Sequence, residues 1–338
     1  MKYSELARFD YLLPPEQIAS KPHNPRDEAR LLVYDRKNNQ SREGIFTDLP
    51  ALLPPGALVI FNDTKVIPVR VLGKRASGGK VEVFFLNEVA PLQYKVMLSR
   101  FLPSGEKIIL PGGQSITVAA QMGKYFTVQT AWNFRELVTY LEKYGQTPIP
   151  PYIAKPKAEA ELRKDYQTIF AKEYGSSAAP TASLHFTKAL LNDLRAKGID
   201  YDFITLHVGL GTFASLSAEN FEKNELHTES ISVARRVWER IKMAKKQNRK
   251  VIAVGTTVLR TLESMALGKQ TETNLFITPG FKFQIVDGLI TNFHLPKSSL
   301  LLLVAAFIGD EKETLALYNY AVRANYRFFS FGDGMLVL

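Results

Sequence analysis

Six short runs of β-forming residues between positions 66 and 131 constrain the fold of this chain more than any other feature. Glycines and polar turns, such as Gly78 with Gly79 and Gly112 with Gly113, separate the runs. The runs cover residues 66–72, 80–86, 94–98, 107–110, 115–119 and 125–130. Strands of this length and spacing are typical of a small antiparallel barrel.

The predicted barrel interrupts an α/β pattern in which buried strands alternate with helices. Strands are expected at 57–61, 202–206, 251–254 and 275–277, and helices at 134–143, 188–196, 233–248, from 298 and at 311–325. We therefore predict an α/β fold with two domains. A large mixed α/β domain is expected at residues 1–65 and 152–338, and an inserted small antiparallel β-barrel domain at residues 66–151.

Polar or glycine-rich residues follow several of the expected strands. Asn62 to Lys65 follow the first, His207 to Gly211 the second, and Gly255, Thr256 and Thr257 the third. Open α/β sheets bind ligands at the carboxyl ends of their strands. The Gly-Thr-Thr turn before a helix that carries Arg260 favours an anion. Gly209 and Gly211 form a lone Gly-x-Gly, which is a weak signal.

Residues 176–187 form a run of small residues that leads to His185 and a predicted helix. Thr187 is expected to cap that helix at Lys188, and Gly198 to end it. His185 would then lie beside backbone N–H groups that favour an anionic guest. Small side chains would let a ligand approach the backbone. A tight loop with a packed histidine explains the spacing equally well.

Four of the five histidines, His185, His207, His227 and His294, fall at expected loops or strand exits. A histidine can move protons near neutral pH, although any single one is more often structural. Because four strand or loop exits that carry a histidine are expected to converge, we expect at least one of these histidines to belong to a functional site. His227 and Glu229 would share one face of a strand, which favours hydrogen bonding over a metal half-site. No metal is expected.

Charge and missing motifs narrow the function classes. The formal net charge of +10 fits a phosphate-bearing partner such as RNA, although ordinary solubility also explains it. The absence of cysteine excludes disulfides, thiolate metal sites and a cysteine nucleophile. Walker A, Gly-x-Gly-x-x-Gly and Gly-x-Ser-x-Gly motifs are also absent.

No membrane association is expected. The first residues lack the long apolar core of a signal peptide, and the apolar run 300–308 is far below the roughly 20 residues that a bilayer span needs. A cytoplasmic location is compatible with this composition. The basic helix at 233–248 could follow a nucleic-acid backbone, but a solvated outer face is the more usual explanation.

Twelve segments together resemble the S-adenosylmethionine:tRNA ribosyltransferase-isomerase family of queuosine biosynthesis. They run in order along the whole chain: 9–15, 26–32, 62–68, 145–153, 166–169, 177–187, 207–213, 227–229, 255–264, 279–280, 287–296 and 326–333. The resemblance implies an α/β domain with an inserted barrel. It also implies transfer and isomerisation of the ribosyl group of S-adenosylmethionine onto 7-aminomethyl-7-deazaguanine at the wobble position of a tRNA. Epoxyqueuosine would form, with release of adenine and methionine.

The resemblance further implies roles for the residues in these segments. One histidine would remove a proton next to the sulfonium and another would protonate adenine, with His185, His207, His227 and His294 as candidates. The co-substrate S-adenosylmethionine would contact Thr181, Gly209, Gly211, Thr212, Gly255, Thr256, Thr257 and Arg260. The tRNA, the expected partner, would contact Arg26, Lys65, Arg70, Asp287, Asn292 and Asp333. No obligate protein partner is evident.

The chain departs from the family pattern at four positions. Asp165 replaces an arginine, Ser183 a glycine, Leu210 an alanine and Asn224 a histidine. None of these changes removes a core motif. Two other classes remain open: a non-catalytic RNA-binding module and another S-adenosylmethionine-dependent enzyme such as a methyltransferase.

Overall fold

The computed structural model describes residues 1–149, 158–209, 211 and 215–338. In these ranges the helices are α1 Leu49–Leu52, α2 Phe134–Tyr144, α3 Glu159–Asp165, α4 Lys188–Ala196, α5 Ala218–Lys223, α6 Arg235–Lys246, α7 Thr256–Ala266, α8 Ser299–Ile308 and α9 Glu311–Arg323. The strands of the large sheet are β1 Arg30–Asp35, β2 Gln40–Ile45, β3 Leu58–Asn62, β12 Asp200–Leu206, β13 Glu225–Ser232, β14 Val251–Val254, β15 Glu272–Leu275, β16 Gly288–Asn292 and β17 Gly334–Val337. The other strands are β4 Thr64–Val66, β5 Arg70–Arg75, β6 Lys80–Ala90, β7 Gln93–Leu98, β8 Lys107–Ile109, β9 Ser115–Met122, β10 Tyr125–Gln129 and β11 Glu173–Ser176.

The large sheet has nine strands in the order β15-β13-β12-β3-β14-β16-β17-β1-β2. Its centre, β12-β3-β14-β16, is parallel, so four carboxyl ends meet at one edge. We call this the carboxyl edge. The strand β17 runs antiparallel to β16 and parallel to β1, which brings the start of β17 to the same edge.

Helices cover both faces of the sheet. Along β3, Leu58 and Ile60 join the core beneath α6, α7 and α8, whereas Val59 and Phe61 pack beneath α4. This alternation follows from the two-residue period of a strand. All four side chains are fully buried, which explains why this segment reads as a continuous apolar run.

The barrel closes in the order β10-β7-β6-β5-β8-β9. Its interior is filled by buried valines and isoleucines, and Leu137 and Leu141 of α2 pack against that core. Val66, the first residue of the predicted insertion, belongs to β4, which pairs with β11 rather than with the barrel. Residues 151 and 152, the other predicted boundary, lie outside the described residues. The division into domains therefore stays a prediction.

The predicted fold class, a mixed α/β domain with an antiparallel barrel, is confirmed. Helix α4 spans Lys188–Ala196, with the Thr187 hydroxyl accepting a hydrogen bond from the Leu190 N–H. The strand expected at 275–277 was misplaced, because β15 ends at Leu275. Phe276 and Ile277 are apolar because they are buried in the core without sheet pairing.

Candidate active site

The carboxyl edge is held together by Asn62, which is fully buried at the end of β3. Its amide nitrogen donates to the carbonyl of Leu206 at 3.0 Å, and its amide oxygen accepts from the N–H of Leu206 and of Thr64, each at 3.1 Å. These bonds tie the exits of β3 and β12 together. The side chains that follow both strands consequently start from fixed backbone positions.

A cleft of about 780 Å³ opens between the barrel and the carboxyl edge. Its barrel wall includes Leu86, Asn87, Glu88, Lys95, Tyr125 and Phe134. Its opposite wall includes Tyr174, Gly175, His207, Gly209, Gly211 and His227. Ligand pockets usually measure roughly 300–1,000 Å³, so the cleft is large enough for a nucleoside-sized molecule.

His207 projects from the exit of β12 into this cleft. Its Nδ1 lies 2.8 Å from the hydroxyl of Thr64, which fixes the ring. The ring packs against Gly175, where an added Cβ would lie 2.7 Å from it and where φ is +152°. Burial lowers the pKa of His207, and the nearby Glu173 opposes that shift. The imidazole is therefore neutral at pH 7 and can accept a proton.

His227 lies on β13 beside a buried ion pair. Its Nε2 is 3.6 Å from Oε1 of Glu229, the same oxygen that accepts the Gly209 N–H at 3.1 Å. The other oxygen of Glu229 pairs with Arg260. Burial alone would raise the pKa of Glu229, but Arg260 and His227 lower it to about 2. The carboxylate is thus ionised, and its Oε1 faces the imidazole of His227.

A second, much smaller pocket of about 70 Å³ adjoins the cleft, and Val208 lines both. Thr181, Gly255, Thr256, Thr257, Asn292 and His294 contribute to it. The Thr181 hydroxyl donates to the amide oxygen of Asn292 at 3.0 Å, and α7 begins at Thr256. The pocket has room for about two water-sized groups, such as the two oxygens of a carboxylate.

The other two candidate histidines are buried rather than open to the cleft. His185 stacks on Phe46 and lies 3.3 Å from the amide nitrogen of Asn292, whereas His294 borders the small pocket and contacts the Thr291 hydroxyl at 3.0 Å. Burial lowers the pKa of His185 to about 4 and that of His294 to about 3. The structure thus brings only His207 and His227 of the four into the cleft.

The guanidinium of Arg260 lines neither the cleft nor the small pocket, so it is not placed to bind an anion there. It is 5% exposed, its Nε donates to the carbonyl of Leu275 at 3.0 Å, and its Nη1 pairs with Glu229. The sequence suggested an arginine next to the Gly-Thr-Thr turn, but α7 directs this side chain toward β13. Thr212, another expected contact, lies outside the described residues.

Two of the expected tRNA contacts, Arg26 and Asp333, are hydrogen-bonded within the protein itself. The guanidinium of Arg26 donates to the carbonyls of Lys164, Asp165 and Gln167 at the end of α3. The carboxylate of Asp333 accepts the backbone N–H groups of Arg30 and Arg327. Both side chains hold the fold together at the carboxyl edge.

Asp287 lies at the opposite edge of the sheet. It precedes β16, accepts the N–H of Val251 at 3.0 Å and pairs with Lys245 at 2.9 Å. The structure therefore does not bring it to the site. Arg70 pairs with Glu82 at 2.7 Å on the barrel, and Lys65 donates to the hydroxyl of Tyr174 at 2.7 Å beside the cleft.

Sequence reasoning missed Gly175, Tyr174 and the barrel wall of the cleft. No local pattern marks Lys95 or Tyr125, because they come from different strands and meet only when the barrel closes. Within the described residues, no three histidine, aspartate or glutamate side chains are grouped as a metal site. In the same ranges, no helix is both long and apolar enough to cross a membrane.

Comparison with known proteins matches almost the whole chain. A family model described as "Queuosine biosynthesis protein" covers residues 6–337. S-adenosylmethionine:tRNA ribosyltransferase-isomerases from Carboxydothermus hydrogenoformans and Thermus thermophilus are 44% and 43% identical, over 99% and 98% of this chain and 100% and 99% of their own. The crystal structure of S-adenosylmethionine tRNA ribosyltransferase from Thermotoga maritima is 30% identical, with a TM-score of 0.57 over 98% of this chain and 100% of that chain.

Proposed function

The chain belongs to the S-adenosylmethionine:tRNA ribosyltransferase-isomerase family of queuosine biosynthesis, and we propose that its cleft is where that reaction occurs. It is an enzyme of the transferase and isomerase type. In the proposed reaction, the ribosyl group of S-adenosylmethionine is transferred and isomerised onto 7-aminomethyl-7-deazaguanine at the tRNA wobble position. Epoxyqueuosine forms, and adenine and methionine leave. The observation that carries the proposal is the cleft that presents both His207 and His227.

His207 is the proposed base. S-adenosylmethionine is consumed and is therefore a substrate, whose sulfonium acidifies the adjacent carbon so that a weak base suffices. His207 is neutral because burial lowers its pKa. The contact between its Nδ1 and Thr64 orients the ring, which leaves Nε2 to accept the proton.

His227 is the proposed acid for the departing adenine. A protonated imidazole on β13 would be stabilised by the ionised Glu229, whose Oε1 is 3.6 Å from Nε2. Arg260 keeps that carboxylate charged inside the protein. An adenine that leaves as a neutral base does not accumulate negative charge, so proton donation lowers its barrier.

The small pocket is the proposed site of the methionine carboxylate. The N–H groups at the start of α7 and the hydroxyls of Thr256 and Thr257 are suitable donors for a carboxylate. This assignment replaces Arg260, which is committed to Glu229. The larger cleft would then hold the ribosyl and adenine groups together with a base flipped out of the anticodon loop.

Release of adenine from S-adenosylmethionine in the presence of tRNA carrying the precursor base tests the proposal. The purified protein alone should release adenine and methionine, since we propose no obligate protein partner and a cytoplasmic location, where tRNA is available. Release of S-adenosylhomocysteine would instead identify a methyltransferase. RNA binding without any product would identify a binding module.

A further inference from the structure

Two lysine–tyrosine pairs border the cleft, one on each wall. On the barrel, Nζ of Lys95 lies 4.1 Å from the centre of the Tyr125 ring. On the other wall, Nζ of Lys65 lies 4.2 Å from the centre of the Tyr174 ring and also donates to its hydroxyl. Lys95 on β7 and Tyr125 on β10 are diagonal neighbours, whereas Lys65 and Tyr174 are directly paired across β4 and β11. Both pairs are therefore built into sheets.

Core packing does not explain these aromatic rings. Tyr174 is 36% exposed and Phe134, which borders the same cleft at the start of α2, is 41% exposed. Tyr125 is half-buried, whereas its barrel neighbour Tyr94 is 1% exposed and fills the interior. Rings left at a cleft wall beside cations are available for a ligand with a flat face and a negative charge.

A nucleotide within single-stranded RNA has both features. Its base can stack on an aromatic ring, a contact worth roughly 1–3 kcal/mol, and its phosphate can be neutralised by a lysine. S-adenosylmethionine also has a flat base, but it carries a sulfonium and an ammonium against one carboxylate and has no phosphate. Lysines beside the rings suit RNA and are mismatched to that positively charged molecule.

Lys95 lines the cleft, and Lys65 lies behind Tyr174, where it borders a separate cavity. Glu88 and Glu272 also line the cleft, and Glu229 is neutralised by Arg260. A backbone phosphate placed away from the lysines would therefore meet carboxylates. The two lysines beside the Tyr125 and Tyr174 rings therefore offer positive charge to a phosphate of a bound RNA strand.

We propose that Lys95 with Tyr125 and Lys65 with Tyr174 form a clamp for the unpaired nucleotides on either side of the base that enters the cleft. The clamp rests on the proposed function, because it needs an anticodon loop as its ligand. Tyr125 and Tyr174 stack flanking bases, and the two lysines neutralise the adjoining phosphates. The clamp contributes to RNA affinity and leaves S-adenosylmethionine binding unchanged.

Binding of an anticodon stem-loop RNA, measured by fluorescence anisotropy without S-adenosylmethionine, tests the clamp independently of turnover. Tyr125→Leu and Tyr174→Leu should each weaken binding by roughly 5- to 150-fold, the range that loss of one stacked base gives. Lys95→Gln and Lys65→Gln should each reduce the slope of log affinity against log salt by about 0.7. The KM for S-adenosylmethionine should stay within about twofold of its wild-type value in each variant that retains turnover.

Lys143→Gln is the matched control. Its Nζ lies 5.0 Å from the centre of the Tyr144 ring on α2, and neither residue lines the cleft. It should bind RNA with the wild-type affinity and salt slope. Circular dichroism of each variant checks that the substitutions leave the fold intact.

Several outcomes would overturn the clamp. A Tyr125→Leu or Tyr174→Leu protein with a raised KM for S-adenosylmethionine and unchanged RNA affinity would show that the ring stacks on adenine instead. If Lys95→Gln and Lys65→Gln bound RNA with the same salt slope as Lys143→Gln, the two lysines would not contact phosphates. Equal binding of polyglutamate and RNA would indicate an acidic protein partner. RNA binding that is unaffected by all four substitutions refutes the clamp alone, whereas wild-type protein that binds no RNA refutes the proposed function as well.

Discussion

Replacement of Arg260 by methionine tests the buried ion pair that supports His227. Methionine keeps most of the side-chain length but removes the charge that faces Glu229, whose exposed fraction is 3%. Removal of one partner of a buried pair costs about 3–5 kcal/mol, because the other charge is left uncompensated. We expect Arg260→Met to lower the free energy of unfolding at pH 7 by that amount.

The pKa of Glu229 gives a second, independent magnitude. It is about 2 in the folded protein and 4.5 for an ordinary glutamate, and this difference corresponds to about 3 kcal/mol. Because the folded pKa is the lower one, the wild-type protein has this stabilisation above pH 4.5 and loses it as the pH falls toward 2. In Arg260→Met, burial acts without the opposing arginine, so the pKa of Glu229 rises. The stability deficit of the variant should therefore shrink as the pH falls from 7 to 5.

Urea denaturation followed by tryptophan fluorescence measures this effect. The chain has two tryptophans, and Trp132 stacks on Tyr140 beside the barrel. A Trp132→Phe background therefore leaves Trp238 on α6 as the reporter of the large domain. Adding Glu229→Gln to Arg260→Met removes the uncompensated charge and should recover part of the loss. A loss below about 1 kcal/mol, or no recovery in the double variant, would refute the reasoning.

Three further predictions follow from the histidine environments. His207→Gln should slow adenine release by roughly 100- to 10,000-fold without changing RNA affinity, as measured by chromatography of the products; an unchanged rate would place the base elsewhere. Gly175→Ala should slow turnover through displacement of the His207 ring, since its Cβ would lie 2.7 Å from that ring at a φ of +152°; normal turnover would contradict the packing. Because burial lowers the pKa of His185 to about 4 from 6.5, the wild-type protein should lose stability as the pH falls from 6.5 toward 4. His185→Gln should weaken that dependence in melting curves, and an unaltered dependence would mean that this histidine is not the titrating group.

Local signals predicted much of the architecture. The Thr187 cap and the apolar spacing after it correctly predicted the bounds of α4. Alternating residues and turns indicated the barrel, because its strands are neighbours in sequence. Polar residues after buried strands indicated the carboxyl edge, since parallel strands align their ends.

The hydrogen-bond and ion-pair partners of the candidate site residues could not be predicted in the same way. The guanidinium of Arg26 binds carbonyls at the end of α3, and Arg260 pairs with a glutamate on β13, so neither partner is local in sequence. Asp287 was expected at the site from the family resemblance alone, and it precedes β16, whose carboxyl end at Asn292 reaches the carboxyl edge. Burial separates His185 and His294 from His207, although all three follow similar local patterns.

Because of the position of β17, the strands of the large sheet cannot pair in the order in which they are synthesised. This strand lies between β16 and β1, and among the described residues β1 and β2 join the large sheet only through it. β1 ends at Asp35 and β17 begins at Gly334, so a ribosome needs roughly 15 to 60 s to travel from one to the other. The earliest strands therefore wait with an unpaired edge until the latest one emerges. A chain that stops before Gly334 leaves the sheet divided between β16 and β1.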